Sequence, residues 1–175
     1  ALKVGFANEI GNIFKSLNID GHEVMNIFCH DQKLNLSSYY LKPGFAFGGS
    51  CLPKDVRALT YKAKSLDLET PILSSILPGN QLQIQRGLKM IMAQGKRKIG
   101  ILGFSFKAGT DDLRESPIVD VIEALIGKGY QLKLYDKNVS LASITGSNRD
   151  YILNHIPHIS RLMVENLDDI VADSE

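Results

Sequence analysis

The chain has 175 residues, 44% of them hydrophobic, with 20 Lys and Arg against 19 Asp and Glu for a net charge of +1. That balance excludes a disordered chain and removes any compositional case for nucleic acid or an anionic membrane as partner. No apolar run approaches the ~18 residues of a membrane span, and two cysteines are too few for a disulfide framework, so a reducing, cytoplasmic setting is expected.

The start, Ala1-Leu2-Lys3-Val4-Gly5-Phe6, has neither an initiator Met nor signal-peptide character; it reads as the middle of a helix, the first indication of a fragment. Val4, Ala7, Ile10, Ile13, Phe14 and Leu17 recur at three- and four-residue steps, the spacing of a buried helical face. Asn18-Ile19-Asp20-Gly21 interrupts the pattern. Asp20 is placed to cap a second helix through Val24, Met25, Ile27 and Phe28. Residues 34–50 carry Pro43, Gly44, Gly48, Gly49 and Ser50 and are expected to form a loop. Pro53 suits the first turn of a helix from Leu52 to Leu66, because its missing N–H is no loss there. A further helix is expected from Pro71 to Ala93, with Pro78-Gly79 as a kink or break.

The character changes near residue 95. Gly95-Lys96-Arg97-Lys98 is a basic, turn-like hinge, and Ile99 to Gly103 is an apolar run suited to a strand covered on both faces. Ser116-Pro117 reads as cap and first turn of an amphipathic helix, Ile118 to Ile126, closed by Gly127 or Gly129. Tyr130 to Asp136 is the second strand, completing a βαβ unit of a parallel sheet. A helix near Arg149–Asn154, a strand near Leu162–Val164 and a helix start at Leu167–Val171 continue it. The expected fold class is α/β: an all-helical domain over 1–94, then a partial Rossmann-like parallel domain over 95–175.

A dinucleotide site in such a unit needs Gly-x-Gly-x-x-Gly after the first strand and an acid at the end of the second. Asp136 stands where the acid would be, but Gly103-Phe104-Ser105-Phe106-Lys107-Ala108-Gly109 lacks the glycine spacing. Asp136 therefore reads as a turn residue after a strand. Lys107, Asp111, Asp112, Arg114 and Glu115 lie beyond the carboxyl end of the first strand, where open α/β sheets bind ligands; they also fit a solvated charged loop.

Cys51 follows Gly48-Gly49-Ser50 and directly precedes a helix start. Backbone N–H groups there and nearby Lys54 would favour thiolate over thiol, and the small residues would let a substrate approach the sulfur. The residues admit two readings, a covalent catalyst or a buried structural cysteine. Cys29, between Phe28 and His30 in a helix, reads as core. No metal-ligand spacing surrounds it, and His22, His30, His155 and His158 form no ligand or triad pattern.

Gly44-Phe45-Ala46-Phe47-Gly48-Gly49-Ser50-Cys51-Leu52-Pro53-Lys54-Asp55-Val56-Arg57-Ala58-Leu59 and Phe106-Lys107-Ala108-Gly109-Thr110-Asp111-Asp112-Leu113-Arg114-Glu115-Ser116-Pro117 resemble the UDP-glucose/GDP-mannose dehydrogenase family. The helix with Phe6-Ala7-Asn8-Glu9-Ile10 is similar to that family's central dimerisation domain. The wording of Tyr39 to Phe47 resembles the members that oxidise GDP-mannose to GDP-mannuronate, the alginate precursor. The resemblance implies an NAD-dependent oxidoreductase that turns a sugar-nucleotide primary alcohol into a carboxylate by two hydride transfers. It makes Cys51 the nucleophile that carries the thiohemiacetal and thioester, with Asp55 helping to handle the hydrolytic water. Lys54 and Arg114 would contact NAD. Asn8, Phe45 and Gly48 would line the substrate pocket, with Tyr39, Tyr40, Lys42 and Lys107 also reaching the sugar nucleotide. The family usually has Arg where Lys42 stands, and Lys offers a point charge without the bidentate fork. The resemblance places the NAD-binding domain and a catalytic Lys and Asn before Ala1, which implies a fragment inactive by itself. It also implies a homodimer. The other readings are a UDP-glucose or UDP-N-acetylmannosamine dehydrogenase, or a stand-alone non-catalytic dimerisation or nucleotide-sugar-binding module.

Overall fold

The computed structural model describes residues 1–106, 109–139 and 146–175. Its contacts separate into two compact units: Ala1–Phe47 with Cys51–Gln83, and Gly48–Ser50 with Ile84–Glu175.

The first unit begins with α1 (Leu2–Ser16) and α2 (Gly21–Phe28). Asp20 caps α2 as its sequence position requires, its Oδ1 accepting the His22 N–H at 2.8 Å. Gly21 lets the two helices meet closely, since a Cβ there would lie 2.8 Å from Gly11 Cα. Ala7, Met25 and Leu41 form the core of this contact, with Ile10 and Cys29 packed against it. The expected buried face of α1 is only partly covered. Ala7 is wholly buried, whereas Ile13 and Leu17 are 54% and 61% exposed, because the α1–α2 contact reaches only one end of the stripe.

α3 (Leu52–Lys64) starts with Pro53 in its first turn and has Cys51 as its N-cap residue. α4 (Pro71–Met92) supplies its first half to this unit. It runs unbroken through Pro78. A proline deletes one rung of the helical ladder, and the neighbouring turns are held independently by buried Ile76 and by side-chain bonds from Asn80 and Gln83.

In the second unit β1 (Lys98–Leu102) and β2 (Gln131–Tyr135) pair in parallel, Ile99 opposite Leu132 and Ile101 opposite Leu134. α5 (Pro117–Gly127) is the crossover between them, ending before Gly129, whose φ is +77°. α6 (Gly146–His155), α7 (Pro157–Ser160) and α8 (Leu167–Asp173) follow; the four-residue α7 is not foreshadowed by any periodicity. Where a third strand is expected, a single parallel bridge joins Met163 to Leu134. Among the described residues of this unit, Phe104, Leu113, Ile122, Leu125, Leu134, Ile152 and Ile159 are the largest fully buried apolar side chains. β1 corrects one expectation. It is not covered on both faces: its middle residues are half-buried and Leu102 is 61% exposed, since only β2 and α8 lie against it among the described residues.

Candidate functional site: the Cys51 loop and the turn before α5

Among the described residues no strand lies beside loop residues 44–47, so their backbone groups need other partners. Side-chain amides supply these. Asn8, on α1 and 4% exposed, accepts the Gly44 N–H at its Oδ1 (2.8 Å) and donates from Nδ2 to the Phe45 carbonyl (3.1 Å). Asn80, on α4, accepts the Phe47 N–H at Oδ1 (2.9 Å) and donates from Nδ2 to the Phe47 carbonyl (2.8 Å). Gln83, one turn further along, donates to the Gly44 carbonyl at 2.6 Å and accepts from Asn12 Nδ2 at 2.8 Å. Asn8 thus reaches the loop through both ends of its amide. Asn12, Asn80 and Gln83 were not singled out by the sequence reading. The available signal was the spacing of these amides, i, i+4 on α1 and i, i+3 on α4, which puts each pair on one helix face.

Gly48 and Gly49 belong to the second unit. The Gly49 N–H donates to the Glu115 carbonyl at 3.3 Å. A Cβ on Gly48 would collide with that carbonyl oxygen, and one on Gly49 would meet the Phe106 ring at 2.7 Å. The space these glycines leave is therefore filled by the protein's own Phe106 and Glu115–Pro117. Backbone strain accompanies the contact, for Glu115 has a φ of 53°, in the left-handed region.

Cys51 is exposed and stands at the N-cap of α3, its carbonyl accepting the Asp55 N–H at 2.9 Å. Neither cysteine is in a disulfide, and Cys29 is half-buried beside the α1–α2 core. Lys54 and Asp55 are both exposed, with Nζ 3.5 Å from Oδ1. Tyr39 and Tyr40 stack edge to face with ring centroids 5.0 Å apart and are largely exposed, as is Lys42. Phe45 lies at the margin between half-buried and exposed.

Beyond β1, the charged segment organises itself around two carboxylates. Asp136 is buried; its Oδ2 accepts the N–H groups of Phe104 (3.0 Å) and Ser105 (3.2 Å), and its Oδ1 that of Asn138 (2.9 Å). It ties the turns after β1 and β2 together, which is more than the turn residue expected. Asp112 grips Arg114 in a fork, Oδ1 to Nε and Oδ2 to NH2, each at 2.8 Å. The guanidinium holds the Asp112 carboxyl below the usual carboxylate range. Ser116 occupies the N-cap of α5, yet its hydroxyl makes no cap bond; it donates to the Phe104 carbonyl at 2.7 Å. Lys107 lies outside the described residues. Among the described residues no cluster of His, Cys, Asp or Glu could hold a metal, and no helix is long and apolar enough to cross a membrane.

Comparison with known proteins decides the family. Residues 1–81 match the UDP-glucose/GDP-mannose dehydrogenase family central domain, and residues 100–172 match that family's UDP binding domain. The chain belongs to the UDP-glucose/GDP-mannose dehydrogenase family.

Within that family it is 58% identical over its whole length to a GDP-mannose 6-dehydrogenase of Pseudomonas aeruginosa, and 55% to one of Azotobacter vinelandii. In each case it spans 40% of the relative's length. Among solved structures, a ternary complex of the P. aeruginosa GDP-mannose dehydrogenase matches 99% of this chain and 40% of its own, with a TM-score of 0.76. A UDP-glucose dehydrogenase from Pyrobaculum islandicum, 28% identical, matches 99% of this chain and 38% of its own with a TM-score of 0.82. The mixed architecture, helical first and parallel α/β second, is the fold of these dehydrogenases.

Proposed function

We propose that the chain is part of an NAD-dependent sugar-nucleotide 6-dehydrogenase that oxidises GDP-mannose to GDP-mannuronate, the alginate precursor. The observation carrying this reading is the 58% identity that extends along the whole chain to a GDP-mannose 6-dehydrogenase. An exposed Cys51 at a helix start, with Asp55 on the first turn behind it, supports the chemistry.

NAD supplies the acceptance of a hydride in each of two oxidations. The βαβ unit does not fit that dinucleotide, since both Asp136 oxygens already accept backbone N–H groups; Lys54 and Arg114 are the proposed contacts from this chain. Cys51 acts between the oxidations. Its thiolate attacks the aldehyde carbon, forming a C–S bond while the carbonyl oxygen takes a proton to give a thiohemiacetal. Departure of the carbon-bound hydrogen as hydride, and of the hydroxyl proton, leaves a thioester. Water, oriented by Asp55, attacks the thioester carbon; the C–S bond breaks, restoring the thiolate and releasing the carboxylate, while both protons of the water pass to solvent. Tyr39, Tyr40, Lys42, Phe45 and Lys107 are the proposed sugar-nucleotide contacts, with Gly48 and Asn8 shaping the loop beside them.

The helical region over 1–94 is proposed as the dimerisation domain and 95–175 as the sugar-nucleotide-binding domain, in a cytoplasmic homodimer. Exposed Leu2, Ile13, Leu17, Ile27 and Ile72, each more than half accessible, favour a second copy as their cover. The test is NADH formation by the parent protein offered GDP-mannose, UDP-glucose and UDP-N-acetylmannosamine in turn. Turnover is expected with GDP-mannose, and Cys51→Ser is expected to abolish GDP-mannuronate. Turnover confined to a UDP-sugar would overturn the substrate, and full activity of Cys51→Ser the mechanism. The 175-residue chain alone is expected to give no NADH and to scatter light at about twice 19.3 kDa.

A further inference from the structure

We propose that Asn80 is a positioning residue for Cys51, acting through the loop that delivers it. This rests on the reading of Cys51 as the nucleophile, but its observations are separate. Asn80 bonds both backbone groups of Phe47, N–H to Oδ1 at 2.9 Å and Nδ2 to carbonyl at 2.8 Å. Two residues of an antiparallel ladder exchange bonds in this way, so the side chain stands in for a missing strand. A carboxamide carries a donor and an acceptor side by side in one plane, a pairing that an ionised Asp, a Ser or a Leu at this position lacks. Phe47 is four residues from Cys51, and its two bonds are the last that the first unit makes to the loop before Gly48.

The other amides extend the same device. Asn8 takes the Gly44 N–H and the Phe45 carbonyl, and Gln83, steadied by Asn12, takes the Gly44 carbonyl. Five backbone groups on three loop residues, Gly44, Phe45 and Phe47, are thus held by side chains from α1 and α4. Loops carry reactive residues, and their placement depends on a rigid scaffold beneath them. A nucleophile must be held in near-attack geometry, and misplacement by ~1 Å can cost ~100-fold in rate. Asn80 is half-buried and bonds only to Phe47 among the side-chain hydrogen bonds described, so its removal leaves the Ala7–Met25–Leu41 core untouched.

The experiment compares the wild-type chain with Asn80→Ala and Asn80→Asp, reading amide hydrogen exchange together with the iodoacetamide labelling rates of both cysteines. Asn80→Ala is expected to speed exchange of the Phe47 N–H by about tenfold. It is expected to shift the ratio of Cys51 to Cys29 labelling by about threefold, because the sulfur leaves the position that the loop gives it. Cys29 and the α2 amides should not change. Asn80→Asp keeps the oxygen that accepts the Phe47 N–H but sets its second oxygen against the Phe47 carbonyl, so it should recover only part of that protection. In the parent enzyme, Asn80→Ala should lower kcat with GDP-mannose about tenfold at unchanged KM for NAD. An unchanged Phe47 N–H and an unchanged ratio of Cys51 to Cys29 labelling would overturn the proposal. So would a parallel change at Cys29 and α2, which would mark Asn80 as general scaffolding. Thiol labelling and exchange need no substrate, so a parent protein that oxidises no sugar nucleotide would sink the dehydrogenase reading and leave these arms standing.

Discussion

The loop 44–47 and the described residues of 104–116 solve one problem, irregular backbone groups that no strand partners, by different chemistry. The first is held by neutral amides on two helices, Asn8, Asn80 and Gln83. The second is held by charged groups, Asp136 on three backbone N–H groups and Asp112 on Arg114, with the Ser116 hydroxyl on the Phe104 carbonyl. A neutral amide carries donor and acceptor together and is indifferent to pH, whereas a carboxylate only accepts, and does so strongly while ionised. One loop is thus held by groups that do not titrate, while the other includes the Asp112–Arg114 pair, which holds harder while Asp112 is ionised.

The largest expected effect is at Asp136. Asp136→Ala removes acceptors from three N–H groups, one buried and two part-buried, and is expected to destabilise the second unit by about 3 kcal/mol. Native-state exchange of the β1 and β2 amides measures it; a loss under about 1 kcal/mol would show that water replaces the carboxylate, ending the contrast.

Asn8→Asp makes the amide loop behave like its counterpart, with the opposite sign. A carboxylate would still accept the Gly44 N–H, but its other oxygen would face the Phe45 carbonyl in a buried place. A cost of about 1.5 kcal/mol is expected at neutral pH. The new acid would have a raised folded pKa. Its protonated form, able to donate to Phe45, contributes stability that is complete below the unfolded value of about 3.9 and lost as pH rises through the folded one. Unfolding of this variant in urea at graded pH should show stability recovering toward acid, relative to wild type; a parallel decline would refute the assigned amide orientation.

The smallest effect is at the Asp112–Arg114 fork. Asp112 has a lowered folded pKa, caused first by its side-chain bond to Arg114. Its contribution is therefore present above the ordinary carboxylate value and lost as pH falls through the lower folded one. Arg114 is 39% exposed, so solvent screening keeps the pair under about 1 kcal/mol. The Asp112 carboxyl carbon shift, followed by NMR through an acid titration, should move below the usual carboxylate range in wild type and within it in Arg114→Gln.

Local rules explain which parts of this molecule could be read from sequence. Asp20 as a cap, Pro53 and Pro117 in first turns, and the strand–helix–strand of 98–135 follow from interactions a few residues long. Ser116 shows the limit. It stands where a cap residue belongs, but its hydroxyl goes to Phe104, 12 residues away. Pro78 shows it again: a local rule asks for a break, and side-chain bonds from Asn80 and Gln83 to residues 33 and 39 positions distant help to hold the helix through it.

For the candidate site the division is the same. The order Gly48-Gly49-Ser50-Cys51-Leu52-Pro53 alone determined that a cysteine would head a helix after a flexible turn, because N-terminal helix chemistry and glycine's freedom are local properties. Only the tertiary structure decided what those features serve. Gly48 and Gly49 make room for Glu115, Pro117 and Phe106, and Asn8, Asn80 and Gln83 become partners of one loop. Such pairings join groups 33 to 39 residues apart. No periodicity records them, since a polar residue on a helix looks the same in sequence whether its partner is water or a distant backbone.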